Sequence, residues 1–213
     1  MNSREKILNN LRAASAPFPA VQSFTSHLPV TPLDARDGLA LQTRFIAEAQ
    51  ALSCHLHQAE DESQAAQIVL QLLASDKRVA AWDFSKIPCL SLSESLHEAG
   101  VAVVPFDNPH VRAGISGADA ALAATGSLVM VSGPGRYRST SILPKLHIAI
   151  ITQDQIVANM ESWLAQQREN NLQSFQASNI NIISGPSRTA DIAMELILGM
   201  HGPGTLHIII VQA

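Results

Sequence analysis

Cysteine is nearly absent from this chain: only Cys54 and Cys89 occur in 213 residues, far apart and each in an apolar context. Two such thiols exclude a disulfide framework and suit reduced, buried side chains. They also exclude a conventional all-cysteine iron–sulfur cluster held by this chain alone, because such a cluster takes four ligands. Basic residues are outnumbered, 14 Lys and Arg against 18 Asp and Glu, giving a formal net charge of −4. With no basic run, a general nucleic-acid binder is excluded, since phosphate neutralisation needs a basic face. No stretch reaches the roughly 18 apolar residues of a membrane span, and residues 1–11 lack the apolar core of a secretory signal. The expectation is a soluble cytoplasmic protein with no membrane span.

What is present is a chain that is 46% hydrophobic and only 15% charged, enough for one substantial core. Ile7, Leu8 and Leu11 predict an amphipathic helix over residues 3–14. Pro17, Pro19, Pro29 and Pro32 then predict an extended arm over residues 15–32. Such an arm either straps its own domain or crosses to a second copy, making a homo-oligomer. From residue 36 onward helical and strand periodicities alternate. Helices are expected at 38–51, 60–74, 93–99 and 153–167, and strands at 52–57, 78–82, 101–106, 127–132, 146–152, 180–184 and 206–212. The order predicts an α/β fold in three layers, with a mostly parallel sheet covered on both faces. Residues 1–35 are read as the helix and arm, and 36–213 as the α/β domain. The last apolar run, Leu206-His207-Ile208-Ile209-Ile210-Val211, reads as a strand inside the sheet.

Two polar islands interrupt this pattern. The first spans residues 114–135, where Gly114, Gly117 and Gly126 alternate with Ser116, Asp119, Thr125 and Ser127. It is either a ligand pocket approached by backbone or a turn-rich connection in which the glycines make corners. The second is Gly185-Pro186-Ser187-Arg188-Thr189-Ala190-Asp191, which reads as strand, turn and helix start. In that setting Ser187, Arg188 and Thr189 converge with helix N–H groups on an anion. The alternative is a helix cap at Ser187 or Thr189, with Arg188 paired to Asp191.

The blocks GISGADAALAATGSLVMVSGPGR, SILPKLHIAIITQDQIV, ISGPSRTADI and LGMHGPGTLHIIIV occur in this order. They resemble the LUD-domain family, over about residues 101–211. The resemblance implies a fold similar to the ribose-phosphate isomerase and CoA-transferase group. It also implies a part in oxidising L-lactate to pyruvate beside two iron–sulfur partner proteins, which would carry the clusters. Ala124, Ala193 and Gly204 stand where many relatives have Glu, Glu and a basic residue, so no catalytic carboxylate transfers to those positions.

Ligand-binding candidates are therefore Gly117, Asp119, Thr125, Gly126, Arg136, Ser187, Arg188, Thr189 and Asp191, facing a small anionic ligand. Arg136 and Arg138 either contact that anion or are solvated loop charges. Asp119 and His201 are the candidates for acid–base work; His201 alternatively caps the helix expected before it. His55 and His57 share a strand face but lack a carboxylate to complete a metal site, and His147 and His207 read as edge-of-core residues. No metal or cofactor is expected on this chain. A stand-alone isomerase or CoA-transferase-like enzyme on a phosphorylated or CoA-linked molecule, and a non-catalytic scaffold subunit, remain the alternatives.

Overall fold

The computed structural model of the chain describes residues 3–14, 37–108, 110–171, 177–190 and 196–212. Two compact units divide it, Met1–Val30 and Thr31–Ala213. In the first, helix α1 (Ser3–Ala14) forms where the Ile7, Leu8 and Leu11 spacing predicts it. The proline-rich arm expected over residues 15–32 lies outside the described residues.

The second unit opens on α2 (Gly38–Ala51), with Asp37 as its N-cap. Leu52, Ser53 and Cys54 then close the helix: Leu52 N–H donates to Glu48 O and Cys54 N–H to Ala49 O, with Ser53 at φ +67°. Strand β1 (His55–Ala59) consequently starts at His55 and not at Leu52. Next come α3 (Glu62–Leu73), β2 (Arg78–Ala81), α4 (Leu92–Glu98), β3 (Ala102–Val104) and β4 (Ala113–Ser116). Then follow β5 (Ala120–Leu122), β6 (Ser127–Val131), the short α5 (Ser139–Ile142) and β7 (Leu146–Thr152). The described elements end with β8 (Ile156–Val157), α6 (Met160–Glu169), β9 (Ile180–Ile183), β10 (Arg188–Ala190), β11 (Leu196–Leu198) and β12 (Thr205–Val211).

Six strands form a fully parallel sheet in the order β1-β12-β7-β4-β2-β3. Strand β12 lies between β1 and β7, and Ile208, Ile209 and Ile210 are wholly buried there, as its unbroken apolar run requires. Crossovers through α3 and α4 carry the chain toward β3, whereas those from β4 to β7 and from β7 to β12 run back toward β1. Right-handed connections therefore place them on opposite faces, and the mostly parallel three-layer α/β expectation holds. Helices α2 and α5 lie on the second face: Gln42 of α2 bonds Gln58, and Gly114 packs on Thr140 of α5.

A second sheet, β8-β5-β6-β9, packs its own small core of Leu122, Val129, Val131, Val157 and Trp163. Its presence corrects the single helix expected over residues 153–167. Gln155 is tied to Ala118 O by its side chain at 2.6 Å, and the β-branched pair Ile156 and Val157 joins β5. Helix α6 starts only after Asn159, whose side chain accepts from Ser162 N–H at 2.9 Å. A third pairing, β10 with β11, is antiparallel, Arg188 opposite Leu198. It corrects the helix expected after residue 191: Leu196, Ile197 and Leu198 are a strand.

Candidate functional site

The first polar island is divided by the fold. Its opening residues form β4, in the middle of the parallel sheet, where a Cβ on Gly114 would overlap the Thr140 carbonyl. Gly117 follows at the carboxyl end of β4, with room for no Cβ because Lys86 O would lie 2.7 Å away. The chain then turns at Asp119. One carboxylate oxygen of Asp119 accepts from Val131 N–H at 2.7 Å, and the other accepts from Arg136 Nη1. Burial pushes the Asp119 carboxyl above its usual range, while the Val131 amide and the Arg136 charge pull it back. Thr125 and Gly126 lie elsewhere. Gly126, at φ +64°, sits against Glu48 and Ala49 near the end of α2, and Ser127 Oγ is 2.8 Å from Ser184 Oγ. At all three glycines backbone packs against backbone, with no room for a Cβ.

The downstream island is held by contacts with other segments. Arg188 donates through Nη2 to Leu52 O and to Ser53 Oγ, the latter at 2.8 Å, closing the carboxyl end of α2. Ser187 N–H donates to Pro203 O at 2.8 Å and its carbonyl accepts from Gly199 N–H. Thr189 stands opposite Ile197 in the β10–β11 pair. Asp191 lies outside the described residues. Leu52 precedes β1 and Pro203 precedes β12, so this island sits at the amino ends of the parallel strands. Asp119 follows the carboxyl end of β4, so the two islands do not form one site at the carboxyl ends. No helix start faces outward at Ser187, because a strand begins at Arg188. His201 lies in the same amino-end loop, exposed, and the helix it was expected to cap is the strand β11.

What the fold does assemble is a cleft at the carboxyl edge of β2, β3 and β4, the side on which open α/β sheets bind ligands. The loop 133–138 crosses this edge and is pinned on several sides. Asp83 N–H donates to Gly135 O at 2.8 Å, and Trp82 Nε1 donates to Tyr137 O at 3.2 Å. Gly135 takes φ +74° with Asp83 Cβ 2.8 Å from where its own Cβ would stand, and the Arg136 guanidinium lies 5.9 Å from the Trp82 ring centre. Phe106, just beyond β3, stacks on Tyr137 at 3.8 Å between ring centres and 12° between planes. Two pockets meet at Tyr137. One, about 450 Å³, is lined by Ser132, Arg136, Arg138 and Asn179; the other, about 540 Å³, by Trp82, Phe84, Val103, Pro105 and Phe106. Of the candidates read from residue types, Asp119 and Arg136 are brought together here, with Gly117 just before Asp119 at the carboxyl end of β4. Trp82, Phe106, Tyr137 and Asn179 escaped a sequence reading because they come from four separate segments with no motif in common.

Two further polar groupings lie apart from the cleft. Ser116 Oγ and His147 Nε2 are 2.8 Å apart in the buried interior, and burial pushes the His147 imidazole down to about 4. At the amino ends of β1 and β12, His57 Nε2 and His207 Nδ1 are also 2.8 Å apart, and the His55 ring stacks on His207 at 4.6 Å. Burial and then the neighbouring imidazoles depress His207, again to about 4. Stacked rings bonded to each other do not converge on a common ion, and among the described residues no group of three or more His, Cys, Asp or Glu is arranged to hold one. Cys54 and Cys89 are buried free thiols, with burial raising Cys54 to about 11. Among the described residues no helix is long and apolar enough to cross a membrane.

Comparison with known proteins agrees with this architecture. The LUD domain profile matches residues 107–211. Lactate utilization protein C of Shouchella clausii is 35% identical over 137 residues, covering 60% of this chain and 59% of that protein. Lactate utilization protein C of Halalkalibacterium halodurans is 45% identical over 94 residues, covering 42% of this chain and 40% of that one. The chain thus spans about half the length of the curated relatives it matches. The crystal structure of a DUF162 family protein from Deinococcus radiodurans superimposes with a TM-score of 0.62 at 20% identity, over 84% of this chain and 99% of that one, a likeness of fold. Residues 107–211, which contain β4 to β12 as well as Asp119 and Arg136, are the part of the chain that matches the LUD domain.

Proposed function

We propose that this chain serves lactate utilization, as a component of an L-lactate to pyruvate oxidation system that carries no cluster of its own and works beside two iron–sulfur proteins. The observation that carries the reading is its 35–45% identity, over 94 to 137 residues, to proteins named lactate utilization protein C. With only Cys54 and Cys89 available, electrons pass through partner clusters and not through this chain. Its own contribution is to hold a small-molecule anion at the carboxyl-edge cleft. There Arg136 and Arg138 supply positive charge beside a pocket of about 450 Å³, and Asp119 keeps Arg136 in place. A guanidinium suits this role because its planar fork grips a carboxylate or phosphate through two bonds.

The test is reconstitution. Lactate-dependent reduction of an acceptor dye is measured with the two iron–sulfur proteins, with and without this chain. The expected result is loss of most of the rate on omission and partial loss with Arg138→Gln. An undiminished rate without the chain overturns the proposal, and turnover of a sugar phosphate or acyl-CoA by the isolated chain replaces it with a stand-alone enzyme.

A further inference from the structure

The two pockets at Tyr137 differ in chemistry. On one side lie Arg136 and Arg138 with the hydroxyl of Ser132 and the amide of Asn179, whose Oδ1 has no hydrogen-bond partner among the described residues. On the other lie Trp82, Phe84, Pro105 and Phe106, and the stacked residues Phe106 and Tyr137 are 39% and 37% exposed. An exposed pair of parallel rings at a pocket mouth is a flat apolar platform. Such platforms bind planar ring systems by stacking, with an appreciable contribution per ring. A bare carboxylate such as lactate uses only the arginine side and fills a small part of it. Together the pockets lie within the size range of small-molecule and cofactor sites.

We propose that the carboxyl-edge cleft binds a nucleotide, its base against the Phe106–Tyr137 stack and its phosphate at Arg136 and Arg138. The proposal deepens the reading of this cleft as an anion site and rests on it. Asp119 holds one edge of the Arg136 fork, so the rest of that fork turns toward the phosphate. Arg138, exposed and in no ion pair among the described residues, supplies the second charge. The Trp82 indole, bonded to Tyr137 O, fixes the height of the loop and hence of the platform.

Calorimetry on the purified chain with adenosine 5′-monophosphate, adenosine, inorganic phosphate and L-lactate as probes tests this. The nucleotide is expected to bind at least about tenfold more tightly than adenosine or phosphate. Phe106→Ala and Arg138→Gln are each expected to weaken it roughly tenfold with unchanged melting temperatures. A nucleotide that binds no better than inorganic phosphate, or equally well to both variants, overturns the proposal. Should Phe106→Ala fail to fold, photolabelling of the parent chain with 2-azido-adenosine monophosphate decides: label within residues 103–106 or 133–138 supports it, and label confined elsewhere overturns it. Reconstitution separates the two readings. Nucleotide binding by a chain whose omission leaves lactate oxidation intact overturns the lactate role alone, and a required chain that binds no nucleotide overturns only this proposal.

Discussion

Arg136 and Asp119 face each other across the loop that leaves β6, and the Val131 N–H takes the second carboxylate oxygen of Asp119. The carboxylate is mostly buried while the guanidinium is one third exposed, 15% and 33% respectively, so the two partners are not equivalent. Removing Arg136 strands a mostly buried acid. Removing the charge of Asp119 frees an arginine that water can still reach.

The first prediction follows from that asymmetry. Arg136→Ala should destabilise the fold by roughly 2 kcal/mol, and Asp119→Asn by clearly less, since the amide oxygen still accepts from Val131 N–H. Urea unfolding of both single variants and the double variant checks it. Equal losses for the two single variants would show that burial does not govern the pair.

The second concerns pH. His147 is buried, with Ser116 its only side-chain hydrogen-bond partner among the described residues, and its folded value of about 4 lies below the ordinary 6.5. Between those values the unfolded chain takes up a proton that the folded chain refuses. The contribution of His147 is therefore fully present above about pH 6.5 and is lost as pH falls, by about 3 kcal/mol at pH 4. His207, partly buried, adds a smaller loss of the same sign. Denaturant midpoints at pH 7.5 and 4.5 should differ strongly in the parent and less in His147→Gln. An equal pH slope in that variant would remove His147 as the cause.

The third concerns Arg188, whose residue type and neighbours suggested an anion site and which the structure bonds to Leu52 O and Ser53 Oγ. Arg188→Ala should cost about 1–2 kcal/mol of stability through the lost closure of α2, and leave anion binding at the cleft unchanged. Melting curves and phosphate titration, measured together, check both halves. A variant that keeps its stability but no longer binds the anion would return Arg188 to the site.

The elements with strong periodicity were legible from local sequence. Residues 3–14, 38–51 and 146–152 take the structure their side-chain spacing dictates, and the unbroken apolar run near Ile209 marks a buried strand. The same local patterns failed where tertiary pairing outweighs propensity. Ile156 and Val157 are drawn from a helical context into β5's sheet, and Leu196, Ile197 and Leu198 pair with β10 where a helix was expected. Family resemblance was also legible, because it resides in ordered blocks of residues. The candidate site was legible only in part. Asp119 and Arg136 announce themselves as charges among glycines, but which end of the sheet a charge occupies depends on strand order and direction. The chain by itself determined which residues are apolar, flexible or ionisable. Only the tertiary structure decided that Arg188 closes a helix while Arg136 borders a cleft, since that choice rests on contacts between segments far apart in sequence.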